Sequence, residues 1–273
     1  MLGERILTAA VGIPVAIFII NYGQWLFGLT ISFLTFAAWF EYTKMLQHKH
    51  LKPDFGLGAL GIAFILGCAW FGNPTETTAV TVLMLFVVLI KTVISFGKFS
   101  FADAAYTFLG LFYIGFLFSH LLLLRFLDQA LLIPTGTLSA GAVYLWIAFL
   151  GTWASDTFAY LVGTRIGRTK LAPLISPGKT REGAMGGLIG AIVTVAVFGS
   201  FFHIPLHHLI LLGLLVGIVA PLGDLVQSVI KRYVGVKDSG KFFPGHGGVL
   251  DRFDSILFTV PTVYYYIQIF LLP

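Results

Sequence analysis

Only twelve acidic residues occur among 273, and two of them fall inside long apolar runs. Asp224 follows the helix-perturbing Ala220-Pro221-Leu222-Gly223, and Asp156 sits within a second run. A charged side chain at the centre of a membrane span costs at least about 2.5–3.5 kcal/mol, so a chemical role is the default expectation. Asp224, Ser228 and Arg232 recur every four residues, with Gln227 and Lys231 beside them at a spacing of three. That spacing draws one polar stripe down an otherwise apolar helix. The plainer alternative is that Asp224 only pairs with Lys231 or another base near the membrane surface.

The stretch that follows is Lys237-Asp238-Ser239-Gly240-Lys241-Phe242-Phe243-Pro244-Gly245-His246-Gly247-Gly248-Val249-Leu250-Asp251-Arg252-Phe253-Asp254. Glycines let a backbone approach a ligand closely, and successive N–H groups at a helix N-terminus can cradle phosphate. Asp251 and Asp254, three apart, share one face of a helix. With Asp224 they offer hard oxygen ligands of the kind Mg²⁺ takes, and that ion needs only one or two carboxylates beside water and substrate phosphate. Gly-His-Gly-Gly alone reads as a turn. Bracketed by carboxylates and five basic residues, it points to a nucleotide site.

A second basic stretch carries Ser155-Asp156, then Gly163-Thr164-Arg165-Ile166-Gly167-Arg168, then Ser176-Pro177-Gly178-Lys179-Thr180-Arg181-Glu182-Gly183. Gly178-Lys179-Thr180 imitates the end of a P-loop, but Pro173 stands where the first P-loop glycine belongs and no strand precedes it. A lysine point charge, two hydroxyls and a flexible backbone still suit phosphate. An ordinary basic loop is the competing reading. His203, His207, His208, His48 and His50 read as interfacial residues. Cys68 is the sole cysteine, so no intrachain disulfide exists.

These groups need elements to hold them, and composition says which. Hydrophobic residues make up 58% of the chain, charged ones 11%, and mean hydropathy is +0.93. Soluble domains carry roughly 25% charged residues, so this surface faces lipid. Nine apolar segments appear, near 6–20, 25–40, 55–71, 79–95, 104–124, 143–162, 185–202, 209–230 and 256–272. The first lacks a small-residue cleavage pattern and reads as an uncleaved helix. The first two are short enough to pair as a hairpin. Lys52-Pro53-Asp54 and Gly72-Asn73-Pro74 separate later ones, and the interval from Asp128 to Ser139 reads as a plain loop. With the N-terminus in the cytoplasm, sixteen of the seventeen basic residues fall on that side and Arg125 alone on the other. Ten of the sixteen lie in 165–181 and 231–252, a concentration that orientation bias does not require. The expected fold is an all-α polytopic membrane protein of about nine transmembrane helices. Residues 1–140 would form scaffold and lipid access, and 141–273 a catalytic region with a cytoplasmic site.

Ser228-x-Ile230-Lys231-Arg232, followed by Lys237-Asp238 and by Pro244-x-His246-Gly247-Gly248-x-x-Asp251-Arg252-x-Asp254, resembles the C-terminal signature of the phosphatidate cytidylyltransferase (CDP-diacylglycerol synthase) family. Ser155-Asp156 with Ser176-Pro177-x-Lys179-Thr180-x-Glu182-Gly183 resembles the family's second shared region. Arg181 and Thr164 depart from residues common there. The resemblance implies a helical membrane enzyme, dimeric and Mg²⁺-dependent, with room for a second cation. It implies CTP and phosphatidate as partners, the lipid phosphate attacking the α-phosphorus of CTP while pyrophosphate leaves. On this expectation Asp224 and Asp251 hold the metal, with Asp254 and Asp156 as further candidates. Lys231, Arg232, Lys237 and Arg252 neutralise phosphate charge. Ser176, Lys179 and Thr180 meet either CTP or the lipid phosphate, Ser228 supports them, and His246 orients a phosphate oxygen. A bacterial inner membrane with the site facing the cytoplasm is the expected location, and nucleic acid is not an expected partner. Two alternatives stand beside this. One is a CTP-dependent enzyme for another lipid phosphate. The other, of a different class, is an anion transporter, disfavoured because the charges lie at cytoplasmic helix ends and no paired repeat of the broken helix is visible.

Overall fold

The apolar segments become helices, and seven of the nine overrun at least one predicted end. The computed structural model describes residues 2–127, 130–133, 136–245 and 247–272. In chain order these form α1 (Leu2–Tyr22), α2 (Gln24–Leu46), α3 (Phe55–Trp70), α4 (Pro74–Ile94) and α5 (Phe101–Gly110), the last running through a π-helical turn (Leu111–Phe116) into α6 (Leu117–Arg125). Then come strands β1 (Ala130–Ile133) and β2 (Gly136–Ser139), α7 (Ala140–Ile166), β3 (Lys170–Ala172), β4 (Ser176–Thr180), α8 (Arg181–Ser200), α9 (Leu206–Val234), α10 (Leu250–Phe253) and α11 (Ile256–Phe270). Six of these helical stretches are long and apolar enough to cross a bilayer: 24–49, 74–94, 101–125, 140–166, 181–200 and 206–234. Three shorter apolar helices cover 12–22, 55–70 and 256–270. Their outward faces carry large apolar side chains such as Phe33 (62% exposed), Phe64 (56%) and Ile189 (58%), which water would not tolerate in such density and lipid does.

Two departures from an all-α fold stand out. The outer interval expected as a plain loop contains the antiparallel pair β1–β2, with Ala130 opposite Ser139 and Ile133 opposite Gly136. The second basic stretch folds as β3–β4, with Lys170 opposite Thr180. Both pairs are too short for the period-two alternation that marks a strand, so hydropathy could not show them.

The chain divides into two compact units, residues 1–126 with 233–252, and residues 127–232 with 253–273. In the first unit, glycines open slots for aromatic rings. A Cβ at Gly58 would strike the Trp39 indole, and one at Gly110 would strike Tyr42 and Trp39. Both rings are almost wholly buried. Their polar ends are satisfied, Trp39 Nε1 donating to the Phe55 carbonyl (3.1 Å) and the Tyr42 hydroxyl to the Tyr106 carbonyl (3.0 Å). The predicted breakers work as helix caps. Asp54 accepts from the Leu57 N–H, Asn73 from Glu76 with Pro74 at the first turn, and Ser100 forms a capping box with Asp103. Arg125, the one base assigned to the outer side, is buried and donates to the Ile20 (2.7 Å) and Asn21 (3.1 Å) carbonyls at the end of α1. A cation at a helix C-terminus meets the carbonyls that lack intrahelical partners.

The second unit rests on close approach of α7 and α8. Ser155, Ala159 and Gly163 repeat every four residues on α7, facing Gly183 and Gly187 on α8. A Cβ at Gly183 would lie 2.7 Å from the Ala159 carbonyl, and one at Gly187 2.7 Å from that of Ser155. Lipid supplies no hydrophobic drive between helices, so small residues and backbone contact hold them. A buried hydroxyl bond joins Thr152 to Thr259 of α11 (2.9 Å).

Gly187→Ala should therefore lower the thermal midpoint in detergent, by an amount matching about 1–3 kcal/mol of overpacking. Gly67→Ala, where an added Cβ meets nothing within 4 Å, should leave it unchanged or raise it. Unfolding followed by tryptophan fluorescence would separate the two, and equal midpoints would refute the backbone-contact account.

Candidate active site

The tight α7–α8 pair places the hairpin between them over a cavity whose largely apolar wall carries a few polar groups. Thr180 ends β4 and caps α8, its hydroxyl accepting from the Gly183 N–H (3.1 Å). Glu182 in the next turn accepts from the Arg168 and Thr169 N–H groups (3.1 Å each), and Arg181 N–H donates to the Thr169 carbonyl (2.8 Å). These bonds fix the strap leaving α7 against the start of α8. The cavity has a volume of about 530 Å³. Ser155, Asp156, Tyr160 and Thr164 of α7 line it, with Ser176, Lys179 and Thr180 of the hairpin and Pro221 and Asp224 of α9. Lys179 Nζ lies 2.7 Å from Asp224 Oδ2 and reaches the Pro221 carbonyl at 3.5 Å. Asp224 Oδ1 accepts from Ser228 (3.2 Å), so the four-residue stripe read from the sequence is a real bonded pair. Arg232, exposed further along, donates to the Ile175 carbonyl (3.4 Å). The partner of Asp224 is thus a lysine 45 positions away, not only its own helix neighbours.

Gly223 brings a third carboxylate close. A Cβ there would lie 2.5 Å from the Asp254 carbonyl and 3.0 Å from Ser255 Cα, so α9 packs on the backbone before α11. Asp254 is held protonated far above the ordinary carboxylate range, to about 7. Burial is the main cause, then the negative charge of Asp224, with Asp156 adding to it; the Ser255 N–H (2.7 Å) and Lys231 act in the opposite sense. Asp254 therefore feels the charge of both other carboxylates. Among the described residues no group of three or more His, Cys, Asp or Glu is already arranged as a metal cage. The donor set is hard oxygen under mutual repulsion, which fits Mg²⁺, an ion that keeps waters and takes few protein ligands.

The glycine-rich loop belongs to the first unit, where its donors meet two carboxylates of the chain. Asp251 Oδ2 accepts from the Ser239 N–H (2.7 Å), the Ser239 hydroxyl (2.9 Å) and the Gly248 N–H (3.0 Å). Glu41 of α2 accepts from the Val249 N–H (2.9 Å), the Leu250 N–H (3.1 Å) and the Ser239 hydroxyl (3.1 Å). The N–H groups expected to cradle phosphate at the start of α10 are taken up by the protein's own carboxylates. Lys237, Lys241 and Arg252 are exposed around this loop. His246 lies outside the described residues. Glu41 is the residue that the sequence reading missed. The second apolar segment ends at Phe40, yet α2 runs on to Leu46 with Glu41 buried. A lone carboxylate one position beyond an apolar run was the available signal.

The resemblance of the signature residues extends to the whole chain. The profile of the cytidylyltransferase family matches residues 3–270. The phosphatidate cytidylyltransferase of Staphylococcus saprophyticus is 37% identical over 263 residues, covering 94% of this chain and 95% of that one. That of Bacillus subtilis is 34% identical over 273 residues, covering 98% of both, and that of Synechocystis 35% identical over 295 residues, covering 98% and 97%. A family model that matches almost the whole chain, with relatives at this identity and coverage, leads to one assignment: the chain belongs to the cytidylyltransferase family.

Proposed function

We propose that this protein is a phosphatidate cytidylyltransferase, transferring CMP from CTP to phosphatidate to give CDP-diacylglycerol and pyrophosphate. The observation that carries the reading is the cavity at α7, β4 and α9, where a lysine, hydroxyls and carboxylates meet among apolar helices. Both substrates are anionic, one dissolved and one anchored in lipid. A membrane-embedded site of this polarity can receive both. A lipid phosphate is already anionic at neutral pH, so its oxygen attacks the α-phosphorus without a protein base. The bond to pyrophosphate breaks as the new phosphoanhydride forms, and the protein's part is positioning and charge neutralisation.

Asp224 and Asp254 are the proposed holders of Mg²⁺, with Asp156 beside them. Asp251, three residues before Asp254 in the chain, is kept as a further donor on that spacing. The ion would neutralise phosphate charge in the transition state. Lys179 holds Asp224 in its absence, and its ammonium is placed to turn to a phosphate oxygen once a substrate is bound. Ser176 and Thr164 add hydroxyl donors at the same wall. Lys231, Arg232, Lys237 and Arg252 supply further positive charge. The same reading includes nine spans with the N-terminus in the cytoplasm, a bacterial inner membrane, a site open to the cytoplasm, and a homodimer. What supports that orientation is the concentration of basic residues read from the sequence.

Purified protein given phosphatidate, labelled CTP and Mg²⁺ should form CDP-lipid and pyrophosphate, and chelation of the metal should stop it. Product with an isoprenoid phosphate but none with phosphatidate would move the acceptor to another lipid. Asp224→Asn should lower kcat by at least about 100-fold, the scale seen when one transition-state-stabilising group is removed. Wild-type turnover in that variant would take Asp224 out of the metal site.

Lys179→Ala should lower kcat/KM by a similar factor of about 100 while leaving thermal stability near wild type, since the Lys179–Asp224 pair is partly exposed. Unchanged kcat and KM for both substrates would make β4 a structural element only.

A further inference from the structure

Glu41 has no place in the chemistry derived so far, yet it is buried on a membrane-spanning helix and meets the signature loop at three points. Its two oxygens divide the work. Oε1 takes the Val249 N–H, and Oε2 takes the Leu250 N–H and the Ser239 hydroxyl. The loop is shaped around this carboxylate. A Cβ at Gly240 would strike Glu41 Oε1, and one at Gly248 would strike both Glu41 Oε2 and the Ser239 hydroxyl. The glycines at 240 and 248 are thus there to admit an acid from α2.

The same serine then passes the constraint on. Ser239 gives its N–H to Asp251 Oδ2, Gly248 N–H adds a second donor, and the single Ser239 hydroxyl proton is shared between that oxygen (2.9 Å) and Glu41 Oε2 (3.1 Å). Gly247 holds a φ of +87°, and a Cβ there would lie 2.7 Å from Asp251 Oδ2. Two carboxylates therefore clamp the loop at the same two places, Ser239 and residues 248–250. Donors that would turn to water are held in one register, and with them the carboxylate of Asp251.

Glu41 itself does not wander. Its chain neighbour Tyr42 fills the slot at Gly110 with its hydroxyl on the Tyr106 carbonyl, and Trp39 fills the slot at Gly58. An acid on a rigid helix is a fixed point for a loop that has little regular structure.

We propose that Glu41 is the positioning residue of the signature loop, setting the place of Asp251 through Ser239 and the Val249 and Leu250 N–H groups. The proposal rests on the cytidylyl-transfer reading for its kinetic consequence but not for its structural one. Glu41→Gln keeps size and shape but turns an NH₂ group toward backbone donors. Ser239→Ala removes the shared hydroxyl and leaves the two bonds from Glu41 to the backbone.

Both variants should be made in the full-length protein in detergent. Glu41→Gln should lower kcat at least tenfold, with KM for CTP and for phosphatidate within about twofold of wild type and the thermal midpoint little changed. Limited trypsin digestion gives a readout independent of the reaction. Cleavage at the exposed Lys237 and Lys241 should quicken several-fold in Glu41→Gln and to a smaller degree in Ser239→Ala, while cleavage at Arg165 and Arg168 keeps its rate. Wild-type cleavage at Lys237 and Lys241 overturns the proposal whether or not the protein makes CDP-lipid. Activity lost only in step with folded protein, in both variants, overturns it as well. No product from wild type with quickened cleavage in the variants would sink the reaction and leave the loop's dependence on Glu41 standing.

Discussion

An unpaired carboxylate is costly wherever helices exclude water, and five acids of this chain are met by donors from the protein itself. Asp54 takes the Leu57 N–H and the Lys91 ammonium. Asp103 takes the Lys52 N–H and the Ser100 hydroxyl. Glu182 takes two backbone N–H groups, and Asp251 and Glu41 take two each and share the Ser239 hydroxyl. In every case the acid ties a segment without regular structure to the end of a helix. Acids in this chain are first of all fasteners.

The carboxylates near the cavity break that pattern. Asp224 has one lysine and one hydroxyl, and Asp254 lies where burial and two negative neighbours favour its neutral form. Nothing structural is gained by crowding Asp156, Asp224 and Asp254. The crowding follows from Gly223, which lets α9 settle on the backbone at Asp254 and Ser255. A larger residue there would separate the charges and relieve them.

The residues with unusual chemistry were legible in the sequence because an apolar chain leaves them few places to hide. Asp156, Lys179, Thr180 and Asp224 were each marked by type and setting, and the structure gathers them at one cavity. Helix existence was equally plain, since apolar runs and capping residues speak locally. Three things were not. The strands β3 and β4 are three and five residues long, below the length at which alternation shows. The pairing of Lys179 with Asp224 joins positions that only the fold brings together. Glu41 escaped because hydropathy ends a segment where charge begins, while the helix continues through it.

That last omission bears on how the two halves of such a chain are understood. The signature motifs lie outside the N-terminal helices, which hydropathy alone casts as scaffold although the family model matches from residue 3. Yet the loop that carries Lys237, Asp251 and Arg252 closes on an acid from α2, and α2 in turn is keyed by Trp39 and Tyr42 into glycine slots on α3 and α5. Within this unit the lipid-facing helices and the signature loop are one packed body. A substitution that shifts α2 by a fraction of an ångström must either break bonds to Val249 and Leu250 or carry the loop with it, because close-packed interiors transmit such shifts rather than absorb them. The N-terminal region is then tied mechanically to the signature loop, and its sequence is constrained at Gly58, Gly110 and Glu41 rather than along its apolar surface.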